Sequence, residues 1–208
     1  MIKSILYFIS SLVVFLAGMI LYGMILNLRE VTLSEAAAQK HLTYLTNIHI
    51  IVEKRKYKLE LYSDTTLVKT YKAVFGRSSS TKKSFLNDKR TPVGKYVICD
   101  IDTTSQYRKF LRLNFPNSID IQEAYKQRLI TENEFLSASE ALQNNQCPKL
   151  GRIKTNDIGI HGIGRLNFIF KNLPFVYNWT NGSIAVSNEN IDEIYSVIKV
   201  GTEVEIKE

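Results

Sequence analysis

Two cysteines, three histidines, one tryptophan and four prolines are all that this 208-residue chain holds of those types. Two cysteines make no disulfide framework. Cys99 lies in a strand-like run and reads as a small buried hydrophobe, while Cys147 lies in a polar loop; whether they pair is left open. His41, His49 and His161 stand at no ligand spacing to one another or to a cysteine pair, so no metal centre is expected, nor any cofactor. Gly162 and Gly164 begin a pattern like that of a nucleotide loop, but Asn167 stands where the third glycine belongs. No nucleic-acid recognition fold or aromatic-basic RNA signature is found, so nucleic acid is not an expected partner. No internal repeat occurs, and no segment is biased enough to forbid a packed domain.

What the chain does have is a long apolar run. Ile5 to Asn27 carries no charge over 23 residues, with Lys3 before it and Arg29-Glu30 after it. Such a run can cross a hydrocarbon core of roughly 30 Å as a helix. The competing reading is a cleaved signal peptide ending near Ala36-Ala37-Ala38. Signal cores are usually about 7–15 residues long, and these alanines lie well past the end of the run. The expectation is an uncleaved signal-anchor over residues 1–29. Lys3 and the terminal amine favour a cytoplasmic N-terminus and an extracytoplasmic remainder.

Net charge is +7, and between Glu53 and Lys95 twelve Lys/Arg face four Asp/Glu. That local excess suits an anionic polymer or carboxylate-bearing peptide; the plainer reading is solvated strand faces and a basic loop.

Beyond the apolar run, Thr32 and Glu35 form a capping box that opens a helix to about Leu45, expected as a stalk within a linker covering 30–46. Ile48, Ile50 and Val52 alternate, as do Tyr57, Leu59 and Leu61 after Lys54-Arg55-Lys56, predicting a β-hairpin. Thr66–Phe75 is a third β-rich run. Arg77–Arg90 is a polar loop, and strands are predicted from Tyr96 through Cys99 and over Lys109–Phe115. Helices are predicted over Ile119–Leu129, from the Thr131/Glu134 capping box to Asn144, and over Glu189–Lys199, with strands at Asp157–Ile160 and around Val204 and Ile206. The sum is a mixed α/β, mainly β domain over 47–208. It is best laid out as a β-sandwich or partly closed barrel with helical insertions.

Taken alone, His161 in the run Gly159-Ile160-His161-Gly162-Ile163-Gly164 reads as a turn whose glycines serve the backbone. Ser183 lies in no Gly-x-Ser-x-Gly elbow, because Asn181 and Ala185 occupy the flanking positions.

The ordered set of motifs changes this. Ile48–Tyr62 is followed by Arg90-Thr91-Pro92-Val93-Gly94-Lys95-Tyr96 and by Leu113-Asn114-Phe115-Pro116-Asn117. Then come Ile160-His161-Gly162, Thr180-Asn181-Gly182-Ser183-Ile184-Ala185-Val186 and Val200-Gly201-Thr202-Glu203-Val204-Glu205-Ile206. From Ile48 to the C-terminus the chain resembles the L,D-transpeptidase (YkuD-type) family. The resemblance implies a β-sandwich-like catalytic domain acting on peptidoglycan stem peptides outside the cytoplasmic membrane, in cell-wall cross-linking or remodelling. In that family a cysteine thiolate attacks the carbonyl following the L-configured third residue, and an acceptor amine or water resolves the thioester.

By position, His161 would be the base and Ser183 the nucleophile. Gly182 and Ser183 would supply oxyanion N–H groups, and Arg90, Gly162, Thr180 and Asn181 would bind substrate. Two departures stand out. Ala185 occupies a position where many members have arginine, and Ser183 replaces the usual cysteine. A thiol with pKa near about 8.5 can rest as a thiolate beside an imidazole, whereas an alcohol must lose its proton during attack. A site shaped for sulfur also holds oxygen short of the carbonyl, and misplacement costs on the order of 100-fold per ångström. The expected function is stem-peptide acyl transfer using Ser183 weakly; the alternative is a catalytically silent member that binds peptidoglycan or a cell-wall partner. Cys147 lies outside every motif and is not expected to act as a displaced nucleophile.

Overall fold

Long apolar side chains from Ile2 to Ile25 build one helix, α1 (Ile2–Asn27), which is exposed over most of its length and meets the rest of the chain near its end, where Gly23 is buried. At 1.5 Å per residue it is about 39 Å long, enough to cross a bilayer. The computed structural model describes residues 2–27, 30–76, 89–150, 157–173 and 176–208. Most of the expected Arg77–Arg90 loop therefore lies outside the described residues.

The Thr32 capping box forms: its hydroxyl accepts the Glu35 N–H, and the Glu35 carboxylate accepts the Thr32 N–H. The helix it opens, α2 (Leu33–Gln39), is shorter than predicted, because the chain turns at His41 with φ +57°. Leu33 and Ala36 are buried, and the Leu33 N–H donates to Glu193. The segment expected as a stalk is thus packed on the domain.

The predicted hairpin is β1 (Ile48–Glu53) and β2 (Lys58–Ser63), antiparallel from Ile48↔Ser63 to Glu53↔Lys58. Then follow β3 (Thr66–Lys72), β4 (Gly94–Asp102), β5 (Phe110–Leu113), β6 (Gly159–His161), β7 (Ile184–Ala185) and β8 (Glu203–Lys207). These eight strands form one curled sheet in the order β3-β2-β1-β8-β4-β5-β6-β7. The C-terminal β8 slots in parallel to β1 and antiparallel to β4, with Val204 opposite both Ile50 and Tyr96. The two edges then meet: Val74 bridges Ala185 and Gly76 bridges Thr180. Of the two architectures expected, the partly closed barrel is nearer to what forms. Alternate residues point inward, so Ile50, Val52, Leu59, Leu61, Leu111 and Ile160 make a fully buried core.

The helices fill the insertions. α3 (Ser118–Lys126) is capped by Asn117 and α4 (Glu132–Gln143) by Thr131, each through a capping box. Between them they bury a small apolar cluster of their own around Ile121, Ala124, Ile130 and Ala138. This insertion is tied to the sheet by a disulfide between Cys99 of β4 and Cys147. Cys99 is therefore half of a covalent staple, not the small buried hydrophobe expected; the insertion folds back far enough to bring Cys147 alongside β4. α5 (Asn167–Lys171) follows a 3-10 turn at Gly164–Leu166. α6 (Asn188–Tyr195) is capped by Ser187 and buries Ile191 and Ile194.

Part of the basic stretch is neutralised where it is described. Lys54 pairs with Glu208, Lys56 with Glu53, Lys58 with Glu53 and Glu60, and Lys69 with Glu193.

Candidate active site

Closure of the barrel determines which residues meet. β6 and β7 run parallel, with Ile160 opposite Ile184 and His161 opposite Ala185. Ser183, just before β7, has the same parity as Ala185, so Ser183 and His161 present to the same face. Both line a cleft of about 380 Å³, with Asp102, Tyr107, Phe110, Arg112, Asp157 and Trp179 among its other walls.

His161 is 3% exposed. Its Nδ1 lies 2.6 Å from the Gly162 carbonyl oxygen. A carbonyl only accepts, so Nδ1 carries the hydrogen and Nε2 keeps its lone pair. Rings surround the imidazole: Phe110 stacks on it at 5.6 Å, Tyr107 lies at 4.6 Å and Trp179 meets it edge-on at 5.8 Å. Burial among them disfavours the imidazolium and pushes the pKa down to about 4, against a smaller opposing effect of the bond to Gly162. At neutral pH His161 is an uncharged acceptor.

Ser183 does not spend its hydroxyl on His161. Oγ accepts the Gly159 N–H at 3.2 Å and donates to the Asp157 carbonyl at 3.2 Å. Its own carbonyl is braced from two sides, by the Thr180 hydroxyl at 2.6 Å and the Thr91 hydroxyl at 3.5 Å. Thr91 Oγ1 also accepts the Gly76 N–H, which ties the Arg90-Thr91-Pro92 block to the sheet closure. Gly76 must be glycine here, since a Cβ would fall 1.9 Å from the Lys89 carbonyl oxygen and 2.8 Å from the Gly182 nitrogen.

The other residues singled out from sequence divide. Thr180 and Asn181 line the cleft. Gly182 takes φ +111°, a region open to glycine, and its N–H donates to the Thr180 hydroxyl rather than into the cleft. Gly162 sits behind the wall, where a Cβ would meet Asn188 Oδ1 and the Tyr107 carbonyl oxygen at 2.7 Å. Gly164 exchanges two hydrogen bonds with the Asn188 amide. Arg90 precedes Thr91 in the chain and is not among the cleft's lining residues.

Sequence reasoning missed the aromatic wall and the charged rim. Arg112 pairs with Asp157 at 2.6 Å and with Asp100 at 3.3 Å, so the residue whose carbonyl holds Ser183 is itself held from β5. A signal was available: Phe110 and Arg112 alternate with the core residues Leu111 and Leu113. That assigns them to the opposite face of the strand.

A curled mixed sheet thus brings a neutral buried imidazole and a hydroxyl to one face of two parallel strands, in an α/β domain. The family model for the YkuD L,D-transpeptidase catalytic domain matches residues 47–206, and the chain belongs to that family. Among solved structures, Bd1075 of Bdellovibrio bacteriovorus is similar at 18% identity, covering 79% of this chain and 48% of that one, with TM-score 0.49. The L,D-transpeptidase (residues 123–326) of Xylanimonas cellulosilytica is similar at 12% identity, covering 79% and 62%, with TM-score 0.45. The helical cell shape determining protein Pgp2 of Campylobacter jejuni is similar at 17% identity, covering 77% and 47%, with TM-score 0.48. The chain thus spans less than two thirds of the length of these structures. No curated protein matches it.

Proposed function

We propose that this protein is a membrane-anchored, extracytoplasmic acyl-transfer domain acting on peptidoglycan stem peptides. In this reading His161 is the base and Ser183 stands in the nucleophile's place. The observation that carries it is the common cleft of His161 and Ser183 in a domain of this family. Residues 1–29 form the anchor, 30–46 the linker and 47–208 the catalytic domain. The apolar length of α1 supports anchoring, and Lys3 ahead of it supports a cytoplasmic N-terminus. The Cys99–Cys147 disulfide supports an oxidising compartment for the domain.

In the reaction, Ser183 Oγ leaves its bond to the Asp157 carbonyl and attacks the carbonyl carbon of the stem peptide's third residue. Its proton passes to His161 Nε2 while Nδ1–H stays on Gly162. The developing oxyanion is met by the Ser183 N–H, with Gly182 providing the close backbone approach. The C–N bond breaks as the imidazolium returns its proton to the leaving amine, leaving an ester on Ser183. An acceptor amine or water then attacks the ester, giving its proton through His161 to Ser183 Oγ. Thr180 and Asn181, which line the cleft, position the peptide; Arg90 and Gly162, which the resemblance also assigns to substrate, are not among its lining residues. An imidazole with pKa near 4 is a weak base for an alcohol, so turnover is slow.

A second reading has an observation of its own. The Ser183 hydroxyl is engaged by Gly159 and Asp157 backbone, which suits a silent site that binds stem peptides. One experiment separates the two. The detergent-solubilised full chain is incubated with tetrapeptide muropeptides and the products are read by mass spectrometry, alongside Ser183→Ala, Ser183→Cys and His161→Ala. Acyl transfer predicts product from the wild type and none from Ser183→Ala or His161→Ala. Equal background from wild type and Ser183→Ala, with product from Ser183→Cys, establishes the silent site. If no variant binds a stem peptide, both readings fail.

A further inference from the structure

α5 is built inside out. The asparagines at its two ends face inward: Asn167 is 9% exposed and Asn172, its C-cap, only 2%. Asn167 accepts the Asn188 N–H and donates to Glu189, and Asn172 donates to the Phe168 carbonyl. The apolar residues face out. Leu166 (53%), Phe168 (56%), Ile169 (43%), Val176 (37%) and Tyr177 (59%) all stand exposed on one short stretch of chain. A water-facing surface has no reason to place its asparagines inside and its phenylalanine outside; a surface that meets lipid does.

The position of α1 supplies the occupant. A Cβ on Gly23 would fall 1.7 Å from the Asn172 carbonyl oxygen, so the helix passes in backbone contact with the end of α5. Gly23 lies inside the apolar span Ile2–Ile25, about half a turn from its domain-side end. Asn172 therefore sits at the level where that span leaves the hydrocarbon, and the exposed side chains around it lie at the same level. Arg165 flanks the patch, as basic residues do where a surface meets headgroups, while Lys171 is paired with Glu189.

We propose that the surface formed by Leu166, Phe168, Ile169, Val176 and Tyr177 is a second membrane contact, dipping these side chains into the bilayer interface beside α1. The inference rests on the anchoring function assigned to α1 above. Its consequence reaches the cleft: Phe170 of α5 is 5.8 Å from Trp179, which is 5.8 Å from His161. Docking of α5 places the cleft wall against the membrane surface, so that the site faces peptidoglycan strands at the membrane rather than in the outer wall.

The test uses the full chain in phosphatidylethanolamine–phosphatidylglycerol vesicles with a benzophenone amino acid placed singly at four positions. Phe168 and Tyr177 report the patch, and Val14 reports α1. Ile119 is the control: it is 75% exposed and follows the Leu113 end of β5, whereas the patch follows the opposite Phe110–His161 end. The expected result is lipid adducts at Phe168 and Tyr177 in yields comparable with Val14, and background at Ile119. Adducts at Val14 alone overturn the second contact and leave the anchor standing. No adduct at Val14 overturns the anchor and the inference with it. Chain-to-chain adducts at Phe168 or Tyr177 overturn it in favour of a second copy, and equal labelling at Ile119 removes the patch's distinction.

Discussion

The Thr180 hydroxyl donates to the Ser183 carbonyl oxygen at 2.6 Å while accepting the Gly182 N–H at 3.3 Å, so one side chain holds both ends of the turn that presents Ser183. Thr180 is buried, and water does not replace it. Thr180→Val keeps the shape and removes both bonds, leaving a buried carbonyl with only the long Thr91 contact. The expected cost is about 1–3 kcal/mol, read as a fall in Tm of roughly 2–4 °C per kcal/mol. Stem-peptide binding should weaken with it, and Thr180→Ser should restore most of both. Thermal unfolding of the detergent-solubilised chain measures the first effect and titration with muropeptide the second.

His161 makes stability fall with acid in a defined window. Its folded-state pKa is lowered to about 4 from 6.5, because burial disfavours the charged ring. Between those values the unfolded chain binds a proton that the folded chain does not, so the stabilisation is complete above pH 6.5 and is lost as pH falls toward 4. The loss is on the order of 3 kcal/mol. Glu189 behaves alike at lower pH: burial raises its pKa, but hydrogen bonds from Lys171 and Asn167 outweigh that and bring it to about 2. Its contribution is present above 4.5 and is lost as pH falls through 2. Urea midpoints should therefore fall as pH drops from 6.5 toward 4 and go on falling from 4.5 to 2, where Asp192 and other carboxylates held low join Glu189, and His161→Gln should abolish the upper fall only. An upper fall that survives the substitution would assign it to another group.

How much of this was legible in the sequence depends on the range of the interactions. The Thr32 and Thr131 capping boxes and the Ile48–Ser63 hairpin are local, and their residues form the predicted bonds. The slot taken by β8 between β1 and β4, and the Val74–Ala185 closure, join segments more than a hundred residues apart and leave no periodic trace. The same holds at the site. His161 and Ser183 were marked by their motifs, but the rings of Tyr107, Phe110 and Trp179 come from segments that only the closed sheet unites. Serine also carries no mark of its partners, so the bonds to Gly159 and Asp157 had to be seen.

The disulfide ties the α3–α4 insertion to β4 of the main sheet. Cys99 and Cys147 are 48 residues apart, and closing a loop of that length removes unfolded-state entropy worth about 4 kcal/mol at most. The apolar cluster around Ile121 and Ala138 is separate from the barrel core among the described residues, so no shared apolar core replaces the link there. Cys99→Ser with Cys147→Ser should cost roughly 2–4 kcal/mol. It should also open 118–147 to limited proteolysis ahead of the β-sheet. Reductant on the wild type should reproduce the proteolysis pattern; equal resistance with and without the bond would show that the insertion holds itself.

Glu193 joins three elements. Its carboxylate accepts Lys69 Nζ of β3 at 2.6 Å and the Leu33 N–H of α2 at 3.1 Å, from its own place on α6. The Lys69 side chain is only 7% exposed and its ammonium also lies 4.7 Å over the Tyr71 ring. Removing the carboxylate leaves a buried cation with the Tyr71 ring and the exposed Glu35 carboxylate nearby. Glu193→Ala should cost about 3 kcal/mol, the lower end for a broken buried pair because Glu193 itself is partly hydrated. Glu193→Gln keeps an acceptor for Leu33 and should cost less. Replacing both members, Lys69→Met with Glu193→Leu, removes the stranded charge and should recover most of the loss in Tm. Hydrogen exchange across 33–39 should still be faster in the double variant, since the Leu33 N–H has lost its acceptor. If the double variant is as unstable as Glu193→Ala, the loss belongs to the α2 contact and not to the buried lysine.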